Sequence, residues 1–182
     1  AGKNIIHKEE GTTRDWHKSK VKNLNNVIIY DTPGIIIKKN KINKLDFIEI
    51  FKVIDKFIFV IDYKNKIYEN EIESINQLRK FNKEIVLIIN KDDNYQKNIN
   101  TEFFGIKSLF FISCSHKLGF EELYEFFEKF DQDFEKIIES QFSIAIFGKP
   151  NAGKSTLANS LVGYHRFKTS SNAGTTSDFV ED

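Results

Sequence analysis

Methionine is absent from the 182 residues, cysteine and tryptophan occur once each, and proline occurs twice. With a single thiol, Cys114, the chain can form no internal disulfide, which sets it apart from disulfide-stapled secreted domains. No apolar run reaches membrane-spanning length, and the opening AGKNIIHKEE lacks the apolar centre of a signal peptide. The expectation is a soluble, cytoplasmic protein with no membrane partner. A first residue that is alanine, in a chain without methionine, reads as a hint of a piece of a longer protein. Excess charge is missing too: 27 Lys and Arg stand against 26 Asp and Glu, so no global field points to nucleic acid or a membrane surface. The length suits one ordinary α/β domain with a sizeable core.

What is present is a series of near-continuous apolar, β-branched runs: NVIIYD (26–31), KFIFVID (56–62), EIVLIIN (84–90), SLFFIS (108–113) and FSIAIF (142–147). Runs of this kind are buried on both faces, which predicts a mostly parallel sheet flanked by helices. Helical patterns cover about 46–54, 69–81, 120–139 and 153–161. Between Glu121 and Ser140 eight acidic residues face two basic ones. That segment therefore reads as an amphipathic helix whose second half is its extension or an acidic linker. The stretches HKSKVK (17–22) and KKNKINK (38–44) read first as solvated surface, with RNA contact as the alternative.

Both prolines lie inside motifs. GKPNAGKS, from Gly148 through Lys149, Pro150, Asn151, Ala152, Gly153 and Lys154 to Ser155, fits GxxxxGK[ST] between a strand pattern and a helix pattern, and Thr156 follows. Its glycines let backbone N–H groups turn toward phosphate oxygens, Lys154 would reach the β- and γ-phosphates, and Ser155 would ligate Mg²⁺. DTPG, that is Asp31, Thr32, Pro33 and Gly34, ends a strand where a carboxylate can hold Mg²⁺ and the Gly34 N–H can meet a γ-phosphate. NKDD closes the next strand but one and matches N-K-x-D. There Asp93 would accept the two guanine hydrogens, Asn90 would bond the purine edge and the loop, and the Lys91 stem would cover the base. Adenine offers no such donor pair, so the motif argues for GTP over ATP. In SCSHKLG, Ser113, Cys114 and Ser115 lie where a backbone N–H contacts the guanine oxygen; Cys114 is either a small residue under the base or a buried structural thiol.

A short segment occurs twice, as GTTRD near the start and GTTSD near the end. Each follows a small-residue helix end and a polar loop. Thr13 and Thr176 are therefore candidates for the switch threonine that completes a Mg²⁺ shell and folds over a γ-phosphate.

The combination of GTTRD, DTPG, NKDD and SCSHKLG, followed by GKPNAGKST and AGTTSD, resembles the Der (EngA) family of tandem-domain GTPases, within the Era/TrmE-like superfamily. The resemblance implies a P-loop NTPase of Ras-like, three-layer α/β fold, with residues 1–132 as a first GTPase domain lacking its opening strand and phosphate loop. Residues 133–140 would be an acidic linker or helix extension, and 141–182 the start of a second domain. It further implies GTP hydrolysis coupled to assembly of the large ribosomal subunit or contact with its RNA. Asn151 would be associated with a K⁺ ion, and His116 is similar to a histidine common in that loop. Ile35 stands where other GTPases place a water-orienting glutamine, so catalysis would rest on Mg²⁺, Lys154 and the monovalent ion. Ser177 replaces the Arg14 of the first copy. Taken as separate pieces, the two halves would bind GTP poorly. Alternatively, FSIAIF fills the vacancy left by the first domain's missing strand and the pieces assemble as a circularly permuted domain. A naturally permuted ribosome-assembly GTPase and a non-hydrolysing RNA-contact fragment are the other readings.

Overall fold

The computed structural model describes residues 17–32, 51, 53–65, 68–134 and 141–163, the side chains of 130–134 excepted. Thr13, Thr176, Pro33, Gly34, Ile35 and the stretch 38–44 lie outside the described residues. Of the helix expected over 46–54, Phe51, Val53 and Ile54 fall among them; the first two are helical and Ile54 is not.

Among the described residues, six strands form one sheet in the order β1-β2-β6-β3-β4-β5. They are β1 (His17–Lys20), β2 (Val27–Asp31), β3 (Lys56–Asp62), β4 (Glu84–Asn90), β5 (Ser108–Phe111) and β6 (Phe142–Phe147). Among the described residues, three helices have their full range, α1 (Glu69–Arg79), α2 (Phe120–Phe134) and α3 (Lys154–Val162). All neighbours are parallel except β1, which pairs antiparallel with β2.

The five parallel strands are those anticipated from their two-sided apolar character. Their alternate residues feed two cores. Val27 and Ile29, Ile58 and Val60, and Ile144 and Ile146 face Leu123 and Phe127 of α2 and Leu157 and Leu161 of α3. Phe57, Phe59, Leu87, Ala145 and Phe147 face Ile75 and Leu78 of α1, together with Phe51 and Ile54. The result is a three-layer arrangement, helices on both faces of a sheet. β1 was not anticipated: HKSKVK, read as solvated surface, is an edge strand that exposes Lys18 and Lys20 while burying Ser19 and, just after it, Val21.

β6 occupies the centre, and its six residues are all buried. It pairs with β2 from Val27↔Phe142 to Asp31↔Ile146 and with β3 from Lys56↔Ile144 to Phe59↔Phe147. Its first residues are tied in further, since the Asp55 N–H donates to the Ser143 carbonyl (2.7 Å) and the Ser143 N–H donates to the Asp55 carboxylate (2.7 Å). In the last turn of α3, the Leu161 carbonyl accepts from the Lys22 N–H (2.8 Å). A strand lacking any polar face has no stable place at an edge, so this position follows from its composition. Each fully buried Ile or Phe contributes about 1.5–3 kcal/mol of transfer free energy.

Candidate nucleotide site

Because β2, β6, β3 and β4 run parallel, their carboxyl ends share one rim, where open α/β sheets build their crevices. The loop from Gly148 to Gly153 leaves β6 at that rim. Gly148 has φ 148°, and a Cβ there would lie 2.2 Å from the Val60 carbonyl oxygen, so the loop passes β3 too closely for any side chain. Lys154 opens α3 and is only 7 % exposed; its Nζ donates to the Lys149 carbonyl (3.0 Å). Burial pushes its ammonium below the usual lysine range, against the opposing attraction of Asp31.

Asp31, at the end of β2, is 1 % exposed. The Ser155 hydroxyl donates to Asp31 Oδ2 (2.8 Å), and Oδ1 is buried with no partner among the described residues. Burial raises the Asp31 carboxyl above its ordinary range, opposed by the Ser155 bond and then by Lys154. Next to it, Thr32 Oγ1 donates to the Ile146 carbonyl (2.6 Å), fixing the start of DTPG against β6. An orphaned carboxylate oxygen beside a hydroxyl, at the foot of a phosphate loop, is an all-oxygen donor set that suits Mg²⁺.

The other rim residues converge on the same loop. Asn90 is buried, and its Nδ2 donates to the Ala152 carbonyl (3.1 Å) while its Oδ1 accepts from the N–H groups of Lys91 (2.8 Å) and Cys114 (3.2 Å). Lys91, in left-handed backbone at φ 69°, donates from Nζ to the Asn151 carbonyl (2.7 Å) and to Asp62 (2.6 Å). Asp93 accepts from Ser113 Oγ (2.8 Å) and Ser115 Oγ (3.2 Å) on Oδ1 and from Lys64 Nζ (2.9 Å) on Oδ2. Lys64 and Ser113 hold its carboxyl at about 2, well below its ordinary 3.8. His116 Nδ1 lies within 3.1 Å of Ser113 Oγ. Burial pushes the Cys114 thiol up to about 12, which keeps it protonated at neutral pH.

The predicted Gly148, Lys149, Pro150, Asn151, Ala152, Gly153, Lys154, Ser155, Thr156, Asp31, Thr32, Asn90, Lys91, Asp93, Ser113, Cys114 and Ser115 all stand along this rim. Sequence reasoning missed four residues that shape it: Asp62, Lys64, Glu71 and Asp92. Asp62 ends β3 and holds Lys91; an acidic residue closing a buried parallel strand is the signal that could have found it. Asp92 is fully buried and accepts the N–H groups of Gln96 and Lys97 (both 2.9 Å), which shapes the loop that follows. Glu71 pairs with Lys149 (2.7 Å).

Fold and rim together define a P-loop nucleotide-binding protein of α/β class. The sequence pattern described as 50S ribosome-binding GTPase matches residues 1–91 and 143–182, and the chain belongs to that family. It is similar to GTPase Der of Buchnera aphidicola subsp. Schizaphis graminum, at 35% identity over 93% of this chain and 42% of the relative. To GTPase Der of Borrelia garinii subsp. bavariensis it is 32% identical over 100% of this chain and 43% of the relative. The chain thus spans less than half the length of these relatives. The crystal structure of YjeQ from Thermotoga maritima superposes on 64% of this chain and 41% of its own at 22% identity, with a TM-score of 0.45.

Proposed function

We propose that this chain binds GTP at one site assembled from both of its ends and hydrolyses it to GDP and phosphate, in the service of large-ribosomal-subunit assembly. The observation that carries the reading is Asn90, whose amide joins the phosphate loop at Ala152 to the guanine-recognition loops at Lys91 and Cys114. On this reading the chain acts as a circularly permuted GTPase domain, its guanine motifs preceding its phosphate loop.

Each residue then has a task. Lys154 leaves the Lys149 carbonyl for the β- and γ-phosphate oxygens, which replace one acceptor by a charged one. Asp93 stays ionised and accepts the guanine N1 and N2 hydrogens, while the Lys91 stem covers the base. Ser155 and Asp31 would hold Mg²⁺, with Thr13 or Thr176 competing for one further position; the ion would neutralise charge developing on the phosphates. Asn151, exposed and in left-handed backbone at φ 63°, has its carbonyl engaged by Lys91, which leaves its side chain to reach a K⁺ ion beside the phosphates. The Gly34 N–H would meet the γ-phosphate.

Titration with fluorescent GTP, competed by unlabelled GDP or ATP, tests nucleotide choice; phosphate release in K⁺ against Na⁺ buffers tests the monovalent ion. The reading requires that GDP competes and ATP does not, and that Lys154→Ala abolishes binding. Co-sedimentation with isolated large ribosomal subunits, with GTP or GDP present, tests the partner; a nucleotide-indifferent result would point away from ribosome assembly driven by GTP.

A further inference from the structure

We propose that Glu71 is a positioning residue for the phosphate loop, acting through Lys149. The proposal rests on the nucleotide-site reading above and adds to it a residue outside every motif. Glu71 sits in the first turn of α1, is 2 % exposed, and yet is ionisable. Carboxylates are almost never so buried unless paired. Its Oε1 accepts from Lys149 Nζ (2.7 Å) and from Asn65 Nδ2 (3.1 Å), and its Oε2 is buried without a partner among the described residues. α1 does not need this carboxylate to dock, because Ile75 and Leu78 already bury its apolar face.

What the pair does fix is Lys149. The side chain of Lys149 is held by Glu71, and its carbonyl accepts from Lys154 Nζ (3.0 Å) and from the Ala152 N–H (3.3 Å). Lys149 is therefore anchored at both ends, and its carbonyl is the resting place of the lysine that must swing to the phosphates. Matching the Lys149 cation to Glu71 also keeps a second ammonium from competing for those phosphates or folding into the loop. Without Glu71 the loop loses the tether that sets its shape before a nucleotide arrives. Part of the binding free energy would then go to ordering it. Both GDP and GTP fill the loop, so both should lose affinity to the same degree. Turnover at saturating GTP should change little, a KM effect rather than a kcat effect.

The test measures GDP and GTP affinity of the full chain for wild type, Glu71→Gln, Lys149→Gln and the double variant, with melting curves taken without nucleotide. Each single variant should weaken both nucleotides about tenfold, and the double variant should be no weaker than either single, as residues in one contact behave. Wild-type affinity in Glu71→Gln, or losses that add in the double variant, would overturn the proposal while leaving the nucleotide site intact. If wild type itself binds no guanine nucleotide, the site reading and this proposal fall together. Should Glu71→Gln melt below the assay temperature, Lys149→Gln against Lys149→Arg decides: loss with Gln and retention with Arg supports the tether, and equal affinity in the two removes it.

Discussion

At the rim, single atoms limit what each position can hold. Gly148 leaves β6 so close to β3 that a methyl group would meet the Val60 carbonyl at 2.2 Å, and that oxygen belongs to a central strand that cannot step aside. Gly148→Ala should destabilise the fold by about 1–3 kcal/mol, the cost of a forced backbone, and should abolish nucleotide binding. Urea denaturation beside a GDP titration checks both. Asp93 makes a second test. Lys64 and Ser113 hold its carboxyl at about 2. A depressed carboxylate contributes stability that is fully present above its unfolded value of 3.8 and is lost as pH falls through about 2. Carbon-detected NMR titration of the Asp93 carboxyl should give a midpoint near that value in wild type, moving up toward 3.8 in Lys64→Ala. An unmoved midpoint would mean that Lys64 does not hold the carboxylate in solution. Guanine recognition should therefore be insensitive to pH across the neutral range.

Among the elements, β6 bears most on the account. It is paired on both edges and buried on both faces, so a charge at its centre has no route to water. Ile144→Asp should remove the cooperative unfolding transition and, with it, the slow amide exchange of Ile58 and Val60 in β3. If exchange in β3 stays slow, β6 is not part of this sheet in solution. The same element explains what was legible beforehand. FSIAIF, NVIIYD, KFIFVID and EIVLIIN declare themselves because a strand buried on both faces has no polar positions to interrupt its apolar run. β1 hid because an edge strand with one neighbour alternates, and HKSK resembles solvated surface. The phosphate loop and N-K-x-D were legible because their chemistry is packed into a few consecutive residues. Glu71, Lys64 and Asp62 were not, since each acts on a partner far along the chain and only the folded sheet brings the two together.

For the whole molecule, the order of strands matters more than the order of residues. The loops at Asn90–Asp93 and Ser113–Ser115 come first in the chain and the loop from Gly148 to Gly153 last, yet β6 enters between β2 and β3 and sets Ala152 against Asn90. Asn90, Lys91 and Glu71, from the first half of the chain, all meet residues of the phosphate loop near its end. The hydrogen bonds from Asn90 to Ala152 and from Lys91 to Asn151 cross that divide, as does the ion pair between Glu71 and Lys149. On this reading each chain carries one guanine-selective site. Its most direct test is titration of the protein with fluorescent GDP, alongside Lys154→Ala from one end of the chain and Asp93→Asn from the other. Saturation at one nucleotide per chain is expected, with displacement by GTP and not by ATP and loss of binding in both variants. Saturation that survives Asp93→Asn, or displacement by ATP as readily as by GTP, would contradict it.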